Sequence, residues 1–166
     1  MIVVANAGPL IALAQIGHFT LLQLLYGELY IPPAVRHEVV ALGQGRPGAA
    51  EVDVASWIHV VEVRETMAVQ LLRDRLDAGE SEAIVLAMEM NADLLLMDES
   101  RGRRVAEARG LTKTGTLGTL IVAKKRGLIS AITPLLDRLL AAGFRMSDEL
   151  YQAARTLADE GNQGLL

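Results

Sequence analysis

Cysteine is absent from this chain. That excludes thiolate zinc sites, thiol nucleophiles and a disulfide framework, and it fits a reducing compartment. Aromatic residues are scarce, with one Trp and two Phe. Recognition by stacking bases on rings therefore has little support and rests on Trp57 and Phe144. No apolar run approaches the ~20 residues of a membrane span. No basic segment precedes an apolar stretch near Met1, so the expectation is a cytoplasmic protein without a secretory leader or membrane contact. A positive excess is also missing: the net charge is −4, which argues against indiscriminate attraction to nucleic acid.

What is present is unevenly distributed. From Arg101 to Arg126 lie Arg101, Arg103, Arg104, Arg109, Lys113, Lys124, Lys125 and Arg126, half of the sixteen basic residues, with Glu107 the only acid. Just upstream the sign reverses, with Asp74, Asp77, Glu80, Glu82, Glu89, Asp93, Asp98 and Glu99 against Arg73 and Arg75. Such a juxtaposition suits a polyanion held beside a metal site, and equally two solvated helix faces.

At 166 residues the chain is expected to form one domain, with the tail after Gly161 frayed. Short apolar runs alternate with segments of helical period. Ile2–Ala5, Leu29–Ile31, Trp57–Val63 and Asp93–Met97 read as strands, the third as an exposed edge. Helices are predicted from Pro9 to Ile16, through "FTLLQLLY", "PAVRHEVVAL", "MAVQLLRDRL" and "SEAIVLAMEM" (with Ser81 as N-cap), and from Glu99 to Arg109. "TGTLGT" turns from a strand end into another helix, and "PLLDRLLAAG" and "SDELYQAARTLADEG" are two more. Asp77-Ala78-Gly79 reads as a break and Gly43–Gly48 as a loop. Strands separated by helices predict an α/β fold, a three-layer α/β/α sandwich around a central parallel sheet.

In such sheets ligands bind outside the carboxyl ends of strands. Asp98 directly follows "LLLM" and so is the leading candidate, its plain alternative being a cap for the helix that starts near Glu99. Glu80 and Glu82 open a helix that is apolar nearly all round. They are either acids favoured by the helix dipole or groups that emerge into a crevice. Glu38 lies beside the buried stripe marked by Val35 and Val39. Asn6 ends the first strand and can offer a carbonyl oxygen to a cation, without charge. Several hard oxygens near a phosphate-accepting surface are what phosphodiester hydrolysis with Mg²⁺ or Mn²⁺ requires.

Taken together, "VVANAGPLIALAQIG", "IPPAVRHEVV", "DAGESEAIVLAMEMNADLLLMDESRGRRVAEARGL" and "GTLGTLIVAKKRGLI" resemble the PIN domain family, closest to small prokaryotic PIN-like proteins described as nucleic-acid-binding. The likeness runs from about Ile2 to Ala154. It implies an α/β/α fold and a ribonuclease dependent on Mg²⁺ or Mn²⁺, like the VapC toxins of toxin–antitoxin pairs. RNA, an antitoxin protein and a second copy in a homodimer are the partners it implies. The family's four acids fall on Asn6, Glu38, Glu82 (with Glu80 as neighbour) and Asp98, and its "GTLG" turn on Gly115 to Gly118, near Thr114 and Thr116. Asn6 departs from the usual Asp, and the "AG" after it replaces a hydroxyl pair. Loss of one negative charge weakens the hold on a hard cation.

Three functions follow for comparison. The first is an RNA endonuclease in which Glu38, Glu82 and Asp98 are catalytic and, with Asn6 and Glu80, hold the metal. In that reading Arg101, Arg103, Arg104 and Lys113 contact the RNA backbone. The second is a PIN-like protein that binds nucleic acid or a partner without catalysis, Asn6 having impaired the site. The third treats "TGTLGT" as a phosphate loop. It lacks the order and the Lys of a P-loop, and close strand–helix packing is the better reading of Gly115 and Gly118.

Overall fold

The computed structural model describes residues 1–161. Strands β1 (Val3–Ala5), β2 (Leu29–Ile31), β3 (Ile58–Val60), β4 (Leu94–Leu96) and β5 (Lys113–Thr114) form one sheet in the order β3-β2-β1-β4-β5. Every neighbouring pair is parallel. Val3, Val4 and Ala5 are fully buried, as are Leu95 and Leu96. A strand covered on both faces has no polar side to show, which is why these runs are continuously apolar.

Helices fill the intervals: α1 (Ala7–Gln15), α2 (Thr20–Tyr26), α3 (Pro33–Arg36), α4 (Ala49–Val54), α5 (Thr66–Leu72), α6 (Ala78–Glu89), α7 (Ser100–Ala108), α8 (Thr116–Lys125), α9 (Thr133–Ala141) and α10 (Asp148–Leu157). α1 and α2 pack with α8, while α6 packs with α3, α5 and α7 and lies over β1 and β4. The expected α/β/α sandwich is what the chain forms. No helix among the described residues is long and apolar enough to cross a membrane.

The strand order decides where a site can be. From β1 the chain runs outward to β2 and β3, then returns to place β4 on the other side of β1. Between the carboxyl ends of β1 and β4 the connections depart in different directions, leaving a crevice. Asn6 and Asp98 stand there. The Asn6 N–H donates to Leu96 O at 2.9 Å, so the two strand ends are locked side by side.

Several local expectations change. "PAVRHEVVAL" is not one α-helix: α3 gives way to a π-helical turn, His37–Ala41, in which the Leu42 N–H reaches back to His37 O at 2.9 Å. Gly43 makes the turn feasible, because a Cβ there would collide with Val39 O. Ser81 does not cap α6. Asp77 does, its Oδ1 accepting from the Glu80 N–H at 2.8 Å, so the helix starts where a break is expected and Gly79 lies within it. Of Trp57–Val63 only Ile58–Val60 form the strand, at the sheet edge. The first helix begins at Ala7, two residues before Pro9. The expected frayed tail falls mainly on residues 162–166, outside the described residues.

The C-terminal helices are tied down by one buried carboxylate. Glu160, 5 % exposed, accepts from the Ile132 N–H (2.8 Å), the Thr133 N–H (3.0 Å) and the Thr133 hydroxyl (2.7 Å), and pairs with Lys124 Nζ at 3.0 Å. Burial pushes its pKa up, but these donors outweigh burial and hold it at about 2. Glu160→Ala is expected to cost about 2–4 kcal/mol, read as a lower urea midpoint, because it orphans the start of α9 and removes the ion pair of Lys124, which keeps its bond to Ala158 O. The depressed pKa means the Glu160 contribution is complete above pH 4.5 and lost as pH falls towards 2.

Candidate functional site

Asn6 takes the N-cap position of α1 in extended conformation, yet its side chain makes no capping bond. The amide is 6 % exposed and is turned towards α6, where its Oδ1 lies 3.3 Å from the point a Cβ on Gly79 would occupy. Asp77 Oδ1 approaches the same point at 3.6 Å. Gly79 is thus the gap that lets the end of β1 and the start of α6 share one space.

Around that gap the carboxylates crowd. Glu38 sits half-buried on the π turn, and burial, helped by the charge of Asp77, raises its pKa. Glu80 is buried, with its Oε2 3.0 Å from where a Cβ on Gly102 of α7 would stand. Burial first, then its hydrogen bond and repulsion with Asp77 and the charge of Glu99, push Glu80 up to about 7. The charge of Asp77 thus makes ionisation harder for both Glu38 and Glu80.

Asp98 is held differently. Its Oδ1 accepts from the Thr116 N–H and its Oδ2 from the Thr116 hydroxyl, both at 2.7 Å. It therefore caps a helix, but α8 rather than the adjacent α7, which begins at Ser100 after Glu99 without any side-chain cap. Two glycines make room. A Cβ on Gly8 would stand 3.3 Å from Asp98 Oδ2, and one on Gly115 would collide with Oδ1. Gly118 likewise closes directly on Thr114, which gives the "GTLG" turn its packing role. Burial raises the Asp98 pKa, and Thr116 and Arg103 pull it back without cancelling the rise.

The expected residues are brought to this end of the sheet unequally. Glu82 turns away, its Oε1 accepting from the Ala34 N–H at 3.2 Å, so it fastens α6 to the start of α3. Arg103 also faces inward, donating to Met97 O at 3.1 Å. Lys113 is paired with Glu107 at 3.3 Å. Arg101 and Arg104 are exposed and line, with Arg75, a cavity of about 380 Å³ that also contains Asp77, Glu80, Glu99 and Ser100. Among the described residues no three acidic or histidine side chains stand close enough to hold one ion as they now lie.

Asp77, Glu99 and Thr116 belong to the site although no local motif singles them out. Asp77 carries a signal, the Asx-x-x-Glu spacing to Glu80 of a helix start, hidden here by the apparent break at Gly79. Thr116 acquires its part only when β5 pairs with β4.

The pH dependence follows from Glu80. Its folded pKa of about 7 lies above the ordinary 4.5, so the folded chain binds this proton more tightly than the unfolded one. That preference favours the fold fully below pH 4.5 and is lost as pH rises through 7. With a chelator present, the urea midpoint is expected to fall between pH 5 and pH 8, and Glu80→Gln to flatten the fall. An equal fall in the variant would show that Glu80 is not its source.

A family model described as a PIN domain matches residues 2–160. A search of curated proteins gives no match. PIN domains are nuclease-type folds, generally dependent on a divalent metal. The all-parallel sheet, the helices on both faces and the acidic switch point agree with that match over nearly the whole length: the chain belongs to the PIN domain family.

Proposed function

We propose that the protein is a metal-dependent ribonuclease whose centre is the switch-point crevice. The observation that carries this reading is the gathering of Asp77, across Gly79 from the uncharged Asn6, with Glu38 and Glu80, whose protons are held tightly first by burial and then by the charge of Asp77. A divalent cation relieves such crowding. The donors are all hard oxygens, which fits Mg²⁺ or Mn²⁺. Mg²⁺ commonly keeps several waters and takes only one or two carboxylates, so three converging acids are not required.

In this reading one or two of Glu38, Glu80 and Asp98 would hold the ion, with Asn6 beside them. Glu80 takes the part the family likeness assigns to Glu82, whose carboxylate is engaged with α3. The ion supplies Lewis acidity towards a phosphodiester and a more acidic water. Thr116 fixes the orientation of Asp98 through both its oxygens. Arg101 and Arg104, exposed beside the carboxylates, hold the RNA backbone without reading sequence, while Arg103 and Lys113 support the fold around them. This reading extends to the chain as the toxin of a toxin–antitoxin pair, a cytoplasmic homodimer restrained by an antitoxin protein, for which the support is the family likeness alone.

A second reading is a PIN protein that binds RNA without cutting it. It is favoured by the neutral Asn6 and by the full engagement of Asp98 with Thr116. Titration of Mn²⁺ against single-stranded RNA separates the two. The nuclease reading expects cleavage, and Asp98→Asn is expected to reduce it by more than the roughly 10–100-fold that a supporting residue costs. Binding to several RNAs with no cleavage at any Mn²⁺ concentration selects the second reading. Asn6→Asp adds the missing charge, and the Mn²⁺ concentration for half-maximal cleavage is expected to fall by roughly tenfold. An unchanged or higher requirement would place Asn6 outside the ion's reach.

A further inference from the structure

Asp98 does not face a single cleft. Two cavities meet at it, one of about 550 Å³ against α1 and one of about 460 Å³ between α8 and α10. Both have the size of ordinary small-ligand sites. Four residues line both cavities: Asp98, Ser100, Phe144 and Arg145. The last two come from the α9–α10 connection, far along the chain from any acid of the site.

That connection is built to present them. Gly143, at φ +96°, turns the chain after α9 in a conformation that L side chains rarely adopt, and the Phe144 N–H is fixed to Leu139 O at 2.9 Å. Phe144 is half-buried, its ring packed on the core at one edge and open to the cavities at another. Arg145 is exposed and makes no ion pair or hydrogen bond among the described residues. An uncommitted guanidinium and an aromatic ring therefore stand together at the boundary of two clefts that open on one carboxylate. The wall of the second cleft is largely apolar, formed by Leu117, Ile121, Leu150 and Leu157.

We infer that Phe144 and Arg145 are a nucleotide-positioning pair, the ring stacking on a base of single-stranded RNA and the guanidinium holding a neighbouring phosphate beside Asp98. This rests on the ribonuclease reading and names which residues seat its substrate. A base has a flat face for the ring and an edge that tolerates apolar walls, and stacking works with any base. A guanidinium grips phosphate oxygens through two parallel N–H groups. A base laid on the ring has left its own stack, which favours a single strand over a paired one. The scarcity of aromatic residues in this chain does not weaken the assignment, because one ring at the reacting carboxylate suffices to orient a strand.

The test is binding of a short fluorescein-labelled single-stranded RNA to the full chain, with Ca²⁺ in place of Mn²⁺ to avoid turnover. Urea midpoints of each variant report the fold. Phe144→Leu retains apolar bulk and loses the stacking face. Its affinity is expected to drop about tenfold, and quenching of a 2-aminopurine in the RNA to disappear, with Phe144→Tyr restoring both. Arg145→Gln is expected to weaken binding and to lower the slope of log affinity against log salt by about one, with Arg145→Lys keeping the slope. Wild-type affinity and salt slope in Phe144→Leu and Arg145→Gln would overturn this pair and leave the ribonuclease reading standing. Equal loss in the Leu and Tyr variants would also overturn it, by showing a packing role only. Absence of RNA binding by the wild-type chain would remove both proposals together.

Discussion

The parallel pairing of β1 with β4, with each strand's chain leaving the sheet in a different direction, is the constraint on which the site depends. Val3, Val4 and Ala5 pair in register with Leu94, Leu95 and Leu96, and the Asn6 N–H extends the ladder by one bond to Leu96 O. The residues that follow each strand are thereby forced to the same end of the sheet. Asn6 and Asp98 are neighbours for that reason, although ninety-odd positions separate them. A shift of the pairing by one residue would carry Asp98 out of line with Asn6 and break the bond from the Asn6 N–H to Leu96 O.

The acids reach this end by a second device. Each is placed at or near the start of a helix or in a helical turn: Asp77 caps α6, Glu80 occupies its first turn, Glu99 precedes α7, and Asp98 caps α8. Helix starts carry partial positive charge and unpaired N–H groups, so they tolerate carboxylates that would otherwise repel. The tolerance is incomplete. Glu38, Glu80 and Asp98 all hold their protons more tightly than ordinary carboxyls do, with burial as the leading cause in each case. The fold thus gathers buried and half-buried carboxyls at one end, and the exposed Arg101 and Arg104 border them without an ion pair to any of them.

Much of the architecture was legible in the sequence because buried parallel strands leave a strong pattern. "IVVA" and "DLLLM" are too short and too apolar to be anything else between helices, and Asp98 at the end of the latter is where a crevice residue belongs. What could not be read depends on pairing at a distance or on backbone detail. Both Glu80 and Glu82 look like helix-start acids. Only the approach of α3 decides that Glu82 goes to the Ala34 N–H, while Glu80 folds against Gly102. The π turn at His37–Ala41 carries Glu38 and has no compositional mark beyond Gly43. Phe144 is one of two rings that stand out in the sequence as stacking candidates, but its place between two cavities beside Asp98 depends on the packing of α9 and α10.

The uncharged Asn6 takes on a different meaning in this geometry. A carboxylate at its position would enter the space above Gly79 that Asp77 Oδ1 also approaches, adding repulsion where burial, Asp77 and Glu99 already push Glu80 up to about 7. The amide keeps an oxygen donor at the end of β1 and omits that repulsion. The negative charge is then carried from the other side of the gap, by an aspartate that the α6 N-terminus stabilises through the Glu80 N–H. The departure at Asn6 therefore moves the charge from the strand end to the helix cap. Counting carboxylates position by position against a family pattern overstates what the site has lost, because Asp77 stands in none of those positions and faces the same opening.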